Sequence, residues 1–250
     1  MIDSETAQQI LANTLEYWRK EAATEEFRKQ ASGKEIGHRI ADLVEEKTTE
    51  LLSNHLVTRR QYTASGKKMD RSMGDIWVYS SGLYNPVNVK AGEAGKKGQP
   101  NMVSLKKLLR ALLLRHIDSY YLLIVKMILK DDIRVSVYLV DMLDYLDFVT
   151  FDSGPGQIML KERQFYERME DEPTDRDVAR FDQSASGVKP AQLTLDEKID
   201  KLFVMLTDGD RRLIMNREKV SAALARMRKA HDEGKGEQGE QMDQAELHLQ

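Results

Sequence analysis

The sequence predicts a mixed α/β protein, a single domain over residues 1–230 whose mixed sheet of about five strands is flanked by helices. Three observations carry this. Apolar residues recur at helical spacing before residue 55 and again after residue 195. Between residues 75 and 90 the period changes to two. Two long apolar runs, 119–129 and 133–142, then follow across a short charged turn.

Residues 3–30 read as an amphipathic helix with Ile10, Leu11, Leu15, Trp18 and Phe27 on its apolar side. A second helix follows Ser32-Gly33, where Ile36, Ile40, Leu43, Val44, Leu51 and Leu52 keep helical spacing. Residues 57–73 are basic and polar and read as an exposed loop. Residues 75–79 and 86–90 make a hairpin with its turn near Ser81-Gly82. The segment 103–116 is helical, with Lys106, Lys107 and Arg110 clustered. "SYYLLIVKMIL" (119–129) reads as a strand buried on both faces, and "IRVSVYLVDM" (133–142) as its antiparallel neighbour. "DSGPGQIMLKE" (152–162) is a glycine-rich turn and a short strand. Residues 162–170 and 195–230 return to helix across an acidic linker, and the acidic tail 231–250 reads as disordered.

Composition narrows the function. No apolar run approaches the roughly 18 residues of a membrane span, and Glu5, Glu16, Glu21 and Glu25 argue against a secretory signal. The absence of cysteine excludes disulfides and thiolate metal sites and fits a cytoplasmic protein. The five histidines share no spacing that would hold zinc. The net charge of −3 hides an uneven distribution, because residues 59–110 carry eleven Lys/Arg against three acids. Such a segment is a candidate contact for a polyanion, or else a solvated face.

The hairpin holds the most specific chemistry. Residues two apart on a strand share a face, so Asn88 and Lys90 point one way and Val87 and Val89 the other. Asp75 begins the adjacent strand. Together, Asp75, Asn88 and Lys90 offer two oxygen ligands and an ammonium, a set suited to a hard cation such as Mg²⁺ and a phosphate. As an alternative, Asp75 starts a strand, Asn88 sits at an edge and Lys90 extends to solvent. Trp77, Tyr120 and Tyr121 read as core, Gly154-Pro155-Gly156 as a turn, and Arg211-Arg212 as a solvated turn.

With these residues in place, the sequence resembles the PD-(D/E)XK nucleases, and within them the HincII/HpaI group of type II restriction endonucleases. The likeness runs over roughly residues 32–165. It comprises the "SGKEIGHRIADLV" helix, "GDIWV", "VNVKAGEAGKKGQPNMVS", "SYYLLIVKMIL" and "GPGQIMLKE". It implies a restriction-endonuclease-like mixed sheet, Mg²⁺-dependent cleavage of double-stranded DNA, and a homodimer acting on a palindromic site. By the same resemblance, Asp75 and Asn88 are the metal ligands and Lys90 orients the attacking water. Lys96, Lys97, Gln99, Asn101 and Ser104 face the DNA, with Gln99 placed to wedge into the base stack. One position departs from the group, because Asn88 stands where it has a second carboxylate. Glu35, Asp42, Glu45 or Glu46 of the preceding helix, or Glu93 in the loop, are candidates to restore the charge; otherwise the chain binds DNA without cutting. A helical interaction protein with a structural hairpin is the reading from a different class.

Overall fold

The computed structural model describes residues 1–31, 38–55, 58–59, 73–93, 101–129, 133–161, 165, 178–181 and 193–247. They form a mixed α/β arrangement. The helices are α1 (Ser4–Ala22), α2 (Glu25–Ala31), α3 (His38–His55), α4 (Leu105–Leu113) and α5 (Leu195–Leu247). The strands are β1 (Thr58–Arg59), β2 (Ile76–Ser80), β3 (Leu83–Glu93), β4 (Asn101–Ser104), β5 (Tyr121–Leu129), β6 (Ile133–Asp141), β7 (Val149–Asp152), β8 (Gln157–Leu160) and β9 (Val178–Phe181).

The main sheet has six strands in the order β1-β2-β3-β5-β6-β9. Its body is β2, β3, β5 and β6, with the short β1 and β9 at the edges. The β2–β3 and β5–β6 pairs are antiparallel, while β3 and β5 run parallel. A second, three-stranded sheet has the order β4-β8-β7.

The hairpin turn falls at Ser81 and Gly82, both at positive φ (51° and 81°), between the paired residues Ser80 and Leu83. This left-handed pair matches the twist of two antiparallel strands. Side chains alternate across the sheet, so its two faces build two cores. On one face Val87, Val89, Leu123, Val125, Val137 and Leu139 pack with Ile10, Leu11, Trp18, Phe27, Val44 and Leu52 of α1, α2 and α3. On the other, Leu122, Ile124, Tyr138 and Val140 pack with Leu105, Leu108 and Leu112 of α4, with the small sheet, and with Ile199 and Leu202 of α5. Each such burial contributes about 1.5–3 kcal/mol.

Several expectations are corrected. The helix expected over 3–30 is two, because Thr24 turns the chain: its hydroxyl donates to the Glu21 carbonyl (2.7 Å) and accepts from the Phe27 N–H (3.2 Å), capping α2. Residues 103 and 104 belong to a strand, since β4 is held by pairing with β8, which helical spacing does not report. β3 outruns the predicted 86–90, because Leu83 pairs with Ser80 at one end and Glu93 with Met127 at the other. β1 lies in the expected loop and β9 in the expected linker; both are short edge strands held by a neighbour rather than by their own pattern. Apart from Phe165, the helix expected over 162–170 lies outside the described residues.

The chain divides into two compact units, Met1–Leu206 and Thr207–Gln250. Among the described residues, Leu202 is the last large apolar side chain of α5 buried in the core. The helix itself runs on to Leu247, through the segment expected to be disordered and through Arg211-Arg212, which are helical rather than in a turn. No proline interrupts it, and Ala, Glu, Gln, Met and Leu are good helix formers. Among the described residues, no helix is long and apolar enough to cross a membrane.

Candidate functional site

β3 is longer than its hairpin partner. The last register pair is Ile76 with Val87, after which the Asp75 N–H donates to the Val87 carbonyl at 2.9 Å and β2 ends. β3 continues to Glu93 with β5 along its other edge. Backbone donors on the edge that β2 leaves need acceptors, since a buried, unpaired N–H is costly. Two carboxylates supply them. Asp75 Oδ2 accepts from the Val89 N–H at 2.8 Å, and Glu45 Oε1 accepts from the Ala91 N–H at 3.3 Å. Lys90 lies between these two residues, and its Nζ reaches Glu45 Oε2 at 3.4 Å.

Each partner is placed by a local device. Gly74 lets the chain turn into Asp75 in close contact with β3. A Cβ there would lie 2.9 Å from the Ile76 carbonyl oxygen and from both the nitrogen and the oxygen of Val87. Glu45 comes from α3, which is tied to α1 by the Trp18 indole N–H donating to Thr48 Oγ1 (2.8 Å) and by the Lys47–Glu21 ion pair. Of the helix acids considered from the sequence, Asp42 and Glu46 are exposed and Glu35 lies outside the described residues. Glu45 is the one that reaches Lys90. Glu93 closes β3, three residues beyond Lys90.

Asn88 is buried, and its Nδ2 donates to the Met102 carbonyl of β4 at 3.4 Å. It thereby joins the main sheet to the small one. Its Oδ1 is buried with no hydrogen-bond partner among the described residues. An amide oxygen in that state offers a ligand position. Burial pushes the Glu45 carboxyl above its usual range; Lys90 opposes the shift and the charge of Asp75 adds to it. The two acids and the lysine therefore share one electrostatic environment.

Asn101 is exposed and pairs with Met159, and Ser104, half-buried, precedes α4 and pairs with Gln157. The turn at Gly154-Pro155-Gly156 fixes the start of α4, because the Leu105 N–H donates to the Gly156 carbonyl at 3.1 Å. Lys106, Lys107 and Arg110 stand exposed on this helix. Lys96, Lys97 and Gln99 lie outside the described residues.

Two residues near the site were not singled out from the sequence as functional. Tyr120 is fully buried, and burial together with the Asp75 charge pushes its hydroxyl well above the ordinary range. Lys126 is 4% exposed and lies opposite Gly92 in the β3–β5 register, one step past the Lys90–Ile124 pair on the same face. A lone lysine inside an otherwise apolar run was its signal in the sequence.

The described residues hold no group of three His, Cys, Asp or Glu side chains arranged for a metal ion. Oxygen ligands here come to two carboxylates and one amide. A comparison with protein-family models finds none that matches this chain, and a comparison with curated proteins likewise finds no match.

Proposed function

We propose that the chain is a Mg²⁺-dependent endonuclease of the type II restriction kind, hydrolysing phosphodiester bonds in double-stranded DNA as a homodimer on a palindromic site. The observation that carries this is the overhanging end of β3. There Asp75 and Glu45 hold the N–H groups on either side of Lys90, and the orphaned Asn88 oxygen stands one residue before Val89. The mixed α/β sheet and the exposed cations of α4 are compatible with the resemblance to the HincII/HpaI group.

These residues fit Mg²⁺ in kind, since carboxylate and amide oxygens are its ordinary protein ligands and it retains several waters. Asp75, Asn88 and Glu45 would hold it, and when bound it would neutralise charge developing on the phosphate. Glu45 replaces the carboxylate that Asn88 lacks. The Lys90 ammonium orients a water for attack on phosphorus. Water adds its oxygen to phosphorus, the bond to the 3′ oxygen breaks, and the products are a 5′-phosphate and a 3′-hydroxyl. Lys106, Lys107 and Arg110, with Lys96, Lys97, Gln99, Asn101 and Ser104, contact the DNA, the cations neutralising phosphates.

The test is a digest of unmethylated phage DNA with Mg²⁺, run beside Lys90→Ala. Discrete bands from the parent alone are expected. An intact genome at every protein concentration would remove the cleavage reading. The amide at Asn88 favours one second reading, a protein of the same architecture that binds DNA without cutting. It predicts salt-sensitive duplex binding by the parent and a gain of cleavage in Asn88→Asp; binding without that gain counts against it.

A further inference from the structure

Trp77 Nε1, Asn88 Oδ1 and the Tyr120 hydroxyl are buried polar atoms with no hydrogen-bond partner among the described residues. The register brings their residues together. Trp77 pairs with Pro86 of β3, two residues before Asn88. Tyr120 stands two residues before Leu122, the β5 partner of Asn88. An aromatic residue therefore flanks Asn88 diagonally on each neighbouring strand, about 7–8 Å away and within reach of a long side chain. All lie on the side of the sheet that carries α4, because Tyr120 and Leu122 belong to that core and Trp77 packs against it. Tyr120 is fully buried and its backbone is held at both ends. Its N–H donates to Asp141 Oδ1 at 3.1 Å, and its carbonyl accepts from the Met142 N–H at 2.8 Å.

The three atoms complement one small molecule. An indole N–H only donates, a tyrosine hydroxyl donates or accepts, and an amide oxygen only accepts. The donor-only indole excludes a cation from their midst. A water accepts from Trp77 and Tyr120 and donates to Asn88, which makes the usual three bonds of an internal water. We propose that Trp77, Asn88 and Tyr120 hold such a water, and that it fixes the orientation of the Asn88 amide. The residue type supplies the reason. A carboxylate turned by half a revolution presents an oxygen again, whereas an amide presents an NH₂ donor in its place. In this chain the Met102 carbonyl accepts from Nδ2 at 3.4 Å on one side, and the water bonds Oδ1 on the other. The amide oxygen has two lone pairs, so the water leaves one for a metal ion. Trp77 and Tyr120 are then positioning residues for the ligand that stands in a carboxylate's place. That consequence rests on the Mg²⁺-dependent nuclease reading; the water site itself does not.

The test begins with urea unfolding of Tyr120→Phe, which removes one oxygen and leaves the ring. A bonded buried hydroxyl stabilises the fold and an unpaired one destabilises it, so the sign of the change decides. The unfolding equilibrium constant is expected to rise about tenfold; an unchanged or lower constant would overturn the proposal. Oxygen-17 relaxation dispersion of the solvent then counts long-lived internal waters by their oxygen, independently of hydroxyl protons. The Trp77→Phe/Tyr120→Phe double variant leaves the water one partner, fewer than it needs. It is expected to show one such water fewer than the parent, and an equal count would also overturn the proposal. For the positioning role, Tyr120→Phe is expected to raise the half-saturating Mg²⁺ concentration for cleavage about tenfold, with the rate at saturating Mg²⁺ near the parent's. An unchanged Mg²⁺ requirement would overturn that role. A parent that cleaves no DNA removes the nuclease reading, while the unfolding and oxygen-17 measurements still decide the water site.

Discussion

Asp141 ends β6 fully inside the protein, and its replacement by asparagine gives a sharp test of how the second core is held. Its Oδ1 accepts from the backbone N–H groups of Tyr120 and Leu143, each at 3.1 Å, fixing the start of β5 and the 3₁₀ turn Met142–Asp144 together. Its Oδ2 is buried with no hydrogen-bond partner among the described residues. Burial, and then the neighbouring charge of Asp144, push the carboxyl from its ordinary 3.8 to about 7, against the two backbone donors and Lys198, which pairs with Asp144. The folded chain therefore keeps this proton to higher pH than the unfolded chain does. Between those two values the native state binds more protons, so stability is present at low pH and falls as pH rises through the window. The whole shift corresponds to about 4 kcal/mol, of which about 2.5 kcal/mol is lost between roughly pH 5 and pH 8. Asp141→Asn keeps the Oδ1 acceptor and removes the titration. Urea unfolding of both proteins at the two pH values measures the difference. The parent is expected to lose about 2.5 kcal/mol more than Asp141→Asn over that interval. Parallel pH profiles would refute the assignment of a buried, proton-bearing carboxyl at this position.

Two further substitutions probe the candidate site. Gly74→Ala drives a methyl against three backbone atoms of the β2–β3 hairpin, so a loss of about 1–3 kcal/mol is expected in urea unfolding. Cleavage falls with it because Asp75 moves; unchanged stability would show that the close approach is not needed. Glu45→Gln removes the charge facing Lys90, and the Mg²⁺ concentration required for half-maximal cleavage is expected to rise by about tenfold or more. An unchanged requirement would take Glu45 out of the site.

Much of the fold was legible because period and composition are local. The hairpin of residues 75–90, the buried strand 119–129 and its antiparallel neighbour all follow from alternation and apolar runs, and the turn lies at Ser81-Gly82 as those runs require. The errors fall where a neighbour overrides local pattern. Asn101–Ser104 is a strand because β8 lies beside it, and Val178–Phe181 because β6 does. Thr24 breaks the first helix by a cap that leaves no trace in apolar spacing.

The sequence by itself determined that Asn88 and Lys90 share a face and that Asp75 opens the hairpin, since alternation along a strand is a property of the backbone. It also offered several acids as replacements for the carboxylate absent at Asn88, with no means of choosing between them. In the tertiary structure it is Glu45 that reaches Lys90. β3 outruns β2 and leaves the Val89 and Ala91 N–H groups needing acceptors, and α3, held to α1 through Trp18 and Thr48, delivers one carboxylate to that edge. Contact between residues forty-five positions apart depends on how two elements pack, and no local pattern encodes it.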